Sequence, residues 1–194
     1  MARLYFRELS TTATMSFSNP PRYSAETARA YVAALIELLG GRNPMHVMAA
    51  TPNSLREAVS ELSDKAIRSP EAENKWSVVQ VVQHLADSEL VYGYRMRLIV
   101  AEDAPDIPGY DQNAWTENLR YNDVAITDAL ADFAATRTMN LRWLSGLSES
   151  ELDRWGMHSE RGEESVRHIV KLLAAHDLVH LKQIDRIKAA VAIL

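Results

Sequence analysis

The chain has 194 residues, 47% of them apolar, no cysteine and a formal net charge of −5. That length and apolar share suit one domain with a sizeable core. The missing cysteine excludes disulfides, thiolate metal sites and a cysteine nucleophile, and it suits a reducing cytoplasm; basic residues interspersed with acids argue against nucleic acid as a partner.

No apolar run reaches the roughly 18–20 residues that span a bilayer, so no membrane is expected as a partner either. Residues 1–21 show no helical pattern: Ser10-Thr11-Thr12-Ala13-Thr14 is polar, and Asn19-Pro20-Pro21 blocks a helix. They read as a flexible leader, without the apolar middle of a secretory signal, ahead of a single domain over residues 22–194. From Ser24 onward the apolar spacing is helical almost throughout. Ser24 caps a first helix carrying Tyr31, Leu35, Leu38 and Leu39, and Gly40-Gly41 stops it. Thr51-Pro52 reads as the start of a second helix, a cap followed by proline, with Leu55, Val59 and Leu62 inward. Residues 63–74 are polar connection.

Ser77-Val78-Val79-Gln80 is a capping box opening a long helix to about Glu102, with Val81, His84, Leu85, Ser88, Val91 and Arg95 on its inward stripe. Pro105 and Pro108-Gly109 force a loop, and Asp111 caps a short helix. Another helix runs over residues 123–144 and ends at Gly146, and Ser148-Glu149-Ser150-Glu151 is a second capping box. A polar loop over residues 156–162 precedes the last helix, residues 165–192. The expected fold is all-α, a four-helix bundle with additional short helices.

The last helix carries His176 and His180, one turn apart on the stripe of Val166, Ile169, Leu173, Ile184 and Ile187. Imidazoles on a buried stripe cost stability unless a metal or a hydrogen-bond network satisfies them. Spacing of this kind arises by coincidence more often than it marks a metal. His84, from another long helix, can add a third corner. Three neutral imidazoles suit zinc, nickel, iron or manganese and leave a position for water or substrate. The competing reading is a non-catalytic binding or sensing bundle, held by a structural metal or a histidine network. His46 reads as a surface or packing residue, His168 as solvent-exposed, and His158 as a loop hydrogen-bonding residue. Asp87 and Asp177 can orient the rings, although Asp177 lies about 100° around the helix from His176 and reads as solvated. Trp76, Trp115, Trp143 and Trp155 read as seals at bundle ends, and Arg95 as a candidate anion partner.

Four segments together resemble the DinB-like (YfiT-like) proteins: Lys75-Trp76-Ser77 leading into His84-Leu85-Ala86-Asp87-Ser88-Glu89, then Pro108-Gly109-Tyr110-Asp111, then Gly156-x-His158-x-Glu160-x-Gly162, and finally His176-Asp177-x-x-His180-x-x-Gln183-Ile184. The resemblance implies a four-helix bundle with an uncommon helix order, often a homodimer, and a divalent metal held by His84, His176 and His180. It also implies a hydrolase, or a transferase using a low-molecular-weight thiol as cosubstrate, acting on a small electrophilic substrate. With no cysteine in the chain, any thiol must come from outside. Asp87, Glu89 and His158 are the candidates for acid–base work, in that order. The loops over residues 105–111 and 156–162 are expected to wall the substrate pocket, with His158 and Asp111 near its mouth.

Overall fold

The computed structural model describes residues 25–191; the leader expected over residues 1–21, the Ser24 cap and the expected helix end at Ala192 lie outside them. Helix α1 (Ala25–Glu37) is followed by a turn through Gly40 and Gly41, whose φ of 54° and 80° suits glycine. Helix α2 spans Pro44–Val59. Asn43 caps it, accepting from the N–H groups of Met45 and His46, and Pro44 occupies the first turn. Thr51-Pro52, expected to open this helix, lies in its interior instead. An interior proline removes the N–H that would bond the carbonyl one turn back. Here that carbonyl, on Met48, accepts from the Arg137 guanidinium at 2.7 Å, so another helix supplies the missing donor.

Helix α3 (Asp64–Arg68), capped by Ser63, interrupts the stretch read as connection. Helix α4 (Val78–Ala101) opens on the Ser77–Gln80 capping box with both reciprocal bonds formed. Asp111 caps α5 (Gln112–Asn118), and a turn of 3-10 helix (Tyr121–Asp123) leads to α6 (Ile126–Leu144). The second capping box opens α7 (Glu149–Leu152), and α8 spans Val166–Val191. No helix among the described residues is long and apolar enough to cross a membrane.

The all-α bundle carries one small addition outside its helices. Strands β1 (Asp106–Ile107), β2 (Trp155–His158) and β3 (Gly162–Ser165) form a small sheet in that order, β1 parallel and β3 antiparallel to β2. In β2 the apolar residues Trp155 and Met157 face outward, while Gly156 and His158 are buried. That inverts the usual signature of a half-buried strand. Gly156 is required there, because a Cβ would stand 2.8 Å from the Ile107 side chain and the Pro105 carbonyl. The residue following β3 begins α8, so the sheet and the last helix are joined without a linker.

The four long helices α2, α4, α6 and α8 make the bundle. Helix α6 packs on α4 and α2, and α8 packs on α2 and α4, while α1 lies against α8. The order around the bundle is therefore α2, α6, α4, α8, with α2 diagonal to α4 although they are successive bundle helices. Two apolar clusters fill it, one including Met48, Tyr92, Met96, Leu144 and Leu173, the other Leu55, Leu85, Phe133 and Ile184. Between them all four helices turn polar at one level: Thr51 on α2, Glu89 on α4, Arg137 and Asn140 on α6, and His176, Asp177 and His180 on α8.

Arg137, 1% exposed, binds this layer together. Its guanidinium donates to Asp177 at 2.6 and 2.9 Å and to the Met48 carbonyl, and lies 2.8 Å from a Glu89 oxygen. Thr51 adds a hydroxyl 2.7 Å from Asp177, and Asn140 donates to Glu89 at 2.9 Å. Gly93 makes room for Asn140, whose side chain would lie 2.6 Å from a Cβ there. Removing one member of such a buried ionic group leaves the others uncompensated. Arg137→Met is thus expected to lower the unfolding free energy by about 3–5 kcal/mol in urea denaturation, whereas Arg167→Met, which breaks exposed pairs with Glu149 and Asp153, leaves it nearly unchanged.

Candidate metal centre

Helix α4 presents His84 and α8 presents His176 and His180 to the same point, all three at most 1% exposed. The Nε2 atoms of His84 and His180 each lie 3.1 Å from Nε2 of His176. His180 Nδ1 is 2.7 Å from the Gln183 side-chain oxygen, which can only accept, so that proton sits on Nδ1 and Nε2 presents a lone pair. Burial lowers the pKa of all three rings, that of His180 to about 4, and the nearby imidazoles lower His84 and His176 further. They are neutral at physiological pH, the form that binds metal.

Converging imidazole nitrogens fit a cation. With metal–nitrogen bonds of about 2.0–2.1 Å, nitrogens 3.1 Å apart subtend roughly 100° at an ion. The group contains three imidazoles and no fourth histidine, cysteine or carboxylate among the described residues, so it caps one side only.

Trp76 tilts against His84 at 4.9 Å between ring centroids and stacks on His180 at 6.5 Å. Ser88, one turn beyond His84, has its hydroxyl 3.5 Å from His84 Nε2 and 3.5 Å from the Tyr110 hydroxyl. Burial pushes the Tyr110 phenol up to about 12, so it stays protonated. Tyr110 also lines a cavity of about 20 Å³, together with Tyr92, Arg95, His158, Glu160 and Arg161.

The expected site residues divide accordingly. His84, His176 and His180 meet; His158 is not in that group but lies in the wall of the adjoining cavity, 2% exposed, in the buried register of β2. Glu89 faces the bundle centre, held by Arg137 and Asn140. Asp87 is half-buried and accepts from Gln83 and the Tyr121 hydroxyl. Asp177 is fully buried rather than solvated: α8 packs on both α2 and α4, so a turn of 100° from His176 still faces the interior. Asp111 is exposed and caps α5, outside the cavity lining. His168 is half-buried, not solvent-exposed, and His46 is exposed. Trp76, expected to seal a bundle end, instead covers two of the rings. Arg137 and Asn140 were not singled out in the sequence, although their spacing with Phe133 and Leu144 puts both on the inward stripe of α6.

The model of the DinB superfamily matches residues 48–184. One relative from Oceanobacillus iheyensis is 32% identical over 133 residues, 68% of this chain and 76% of its own. YfiT from Bacillus subtilis is 28% identical over 149 residues, 73% of this chain and 82% of its own. Both carry names that describe them provisionally as metal-dependent hydrolases. A solved structure of YfiT, described as a probable metal-dependent hydrolase with an unusual four-helix bundle topology, superposes with a TM-score of 0.71 at 22% identity, covering 88% of this chain and 91% of that one.

The centre yields two expectations. Protein purified without a histidine tag contains close to stoichiometric divalent metal by elemental analysis; alanine at His84, His176 or His180 removes most of it, and His46→Ala and His168→Ala do not. In metal-free protein the folded imidazoles resist protonation while unfolded ones titrate near 6.5. The unfolded chain takes up protons first, so stability falls as pH drops from about 6.5 toward 4, the folded value of His180. Chemical denaturation across that window checks it, and a triple alanine variant makes the slope shallower, leaving the part that His158 and His168 contribute.

Proposed function

The chain belongs to the DinB superfamily, and from that membership we propose that it is a metal-dependent hydrolase of small electrophilic substrates. The observation that carries this reading is the meeting of three buried, neutral imidazoles at one point with no fourth protein ligand among the described residues. A purely structural ion would want a fourth protein ligand, and the described residues bring none to the group. His84, His176 and His180 would hold a divalent ion, which would supply Lewis acidity to the site.

The protein's own groups have separable tasks in this reading. Trp76 covers His84 and His180 and keeps bulk water from that side. Gln183 fixes the tautomer and orientation of His180. Tyr110, protonated throughout the physiological range, offers a hydroxyl donor 3.5 Å from that of Ser88. Of the acid–base candidates, Glu89 is committed to Arg137, and His158 uses Nδ1 to accept from the backbone N–H of Glu160. Asp87, which accepts from Gln83 and the Tyr121 hydroxyl, is kept as the proposed base because it is half-buried on α4 one turn from His84 and is not held by a guanidinium. A cytoplasmic homodimer forms part of the same proposal, and an external thiol in place of water is the second chemistry to assay.

Stability in this bundle comes from apolar burial, at ~25 cal/mol per Å², and from the ionic layer. A chelator is therefore expected to leave helical circular dichroism largely intact while abolishing hydrolysis of activated esters, with added zinc, nickel, iron or manganese restoring it. Unfolding on chelation would mark the metal as structural. Activity only with an added small thiol would make the protein a transferase.

A further inference from the structure

We propose that the cavity lined by Tyr92, Arg95, Tyr110 and His158 is a subsite for a carboxylate group of the substrate, bound by the Arg95 guanidinium and the Nε2–H of His158. The proposal rests on the hydrolase reading for the word substrate, but not for the binding itself. His158 is 2% exposed, and its Nδ1 accepts from the backbone N–H of Glu160 at 3.1 Å and of Arg161 at 3.4 Å. In the neutral ring the proton then sits on Nε2, which is buried and has no hydrogen-bond partner among the described residues. Burial, and next the Arg161 charge, lower its pKa to about 3, so it is a constant donor rather than a switch. A buried donor left unmade is costly, and a polar guest in the cavity it lines would satisfy it.

Arg95 supplies the charge. It is 3% exposed, donates to the Pro108 carbonyl, and lies over the Tyr92 ring at 5.0 Å and the Tyr110 ring at 5.7 Å. Two other guanidiniums of the interior have acids: Arg137 has Glu89 and Asp177, and Arg161 has Glu164 at 2.6 Å. No carboxylate lies within ion-pair distance of Arg95 among the described residues. A desolvated cation of this kind calls for an anion. The guest is small and singly charged for two reasons. The cavity is about 20 Å³, and Glu160, half-buried against Gly109 in the same lining, opposes a second negative charge. Tyr110 lines the cavity, and its hydroxyl lies 3.5 Å from that of Ser88, which is in turn 3.5 Å from His84 Nε2, so Tyr110 and Ser88 link the cavity lining to the imidazole group.

The test uses sodium acetate as probe, with acetamide as its neutral counterpart, at constant ionic strength. In nitrogen NMR of the histidine side chains, the His158 Nε2–H signal is expected to shift saturably with acetate and not with acetamide, in both metal-free and zinc-loaded protein. Arg95→Met and His158→Phe are expected to weaken acetate binding about tenfold or more, with Arg95→Lys retaining part of it. No saturable shift, or an equal response to acetamide, overturns the subsite, and the wild-type titration decides this even if the variants fail to fold. In zinc-loaded protein, the phenyl ester of succinate is expected to be cleaved with higher kcat/KM than phenyl acetate, a preference that falls toward unity in Arg95→Met. Acetate binding without cleavage of either ester would sink the hydrolase reading and keep the subsite; cleavage of both esters at equal efficiency without acetate binding would do the reverse.

Discussion

Placing a guanidinium at the centre of the bundle commits four helices at once. Arg137 on α6 needs acids to offset the loss of its hydration, and it takes Asp177 from α8 and Glu89 from α4. Its remaining reach goes to the Met48 carbonyl of α2, the one freed by Pro52. Sliding or rotating any of these helices would strand a charge in an apolar interior. The relative position of α4 and α8 is thereby set before any ion is considered, and those are the two helices that carry His84, His176 and His180. The imidazoles are positioned by an interaction in which none of them takes part.

That separation explains the chemistry of the adjoining group. Because the ionic layer fixes the helices, the three rings can stay neutral and close together, their Nε2 atoms converging with no fourth ligand among the described residues. Gln183 settles the proton of His180 on its far nitrogen. Trp76 covers two of the rings, and Ser88, close to His84, is met by the hydroxyl of Tyr110, which lines the cavity of Arg95 and His158.

How much of this could be read from the chain follows from how local each signal is. Capping boxes at Ser77 and Ser148 and the Asp111 cap involve residues within one turn, and all three formed as read. The histidine pair was legible because one helical turn relates its members, and the union with His84 came from the combined signatures. Thr51-Pro52 misled because what makes an interior proline tolerable lies on another helix. Residues 156–162 read as a loop because β2 buries a glycine and a histidine and exposes a tryptophan and a methionine, so its hydrophobic pattern describes the wrong face. Arg137 lay in plain view on the α6 stripe, but a charge there has meaning only once two distant carboxylates are known to meet it.

The order of helices around the bundle has a consequence for how the protein matures. His84 and His176 are 92 residues apart in the chain and 3.1 Å apart in space, and Arg137 likewise meets both its acids only when α8 has docked against α2 and α4. No local hairpin or single turn brings these groups together, so loop closure over most of the domain must come first. In domains that collapse around zinc, the ion organises a chain that is otherwise unfolded. Here the sequence of events runs the other way: the pocket of nitrogens is a late product of folding, and an ion captured by it labels molecules whose assembly is already complete.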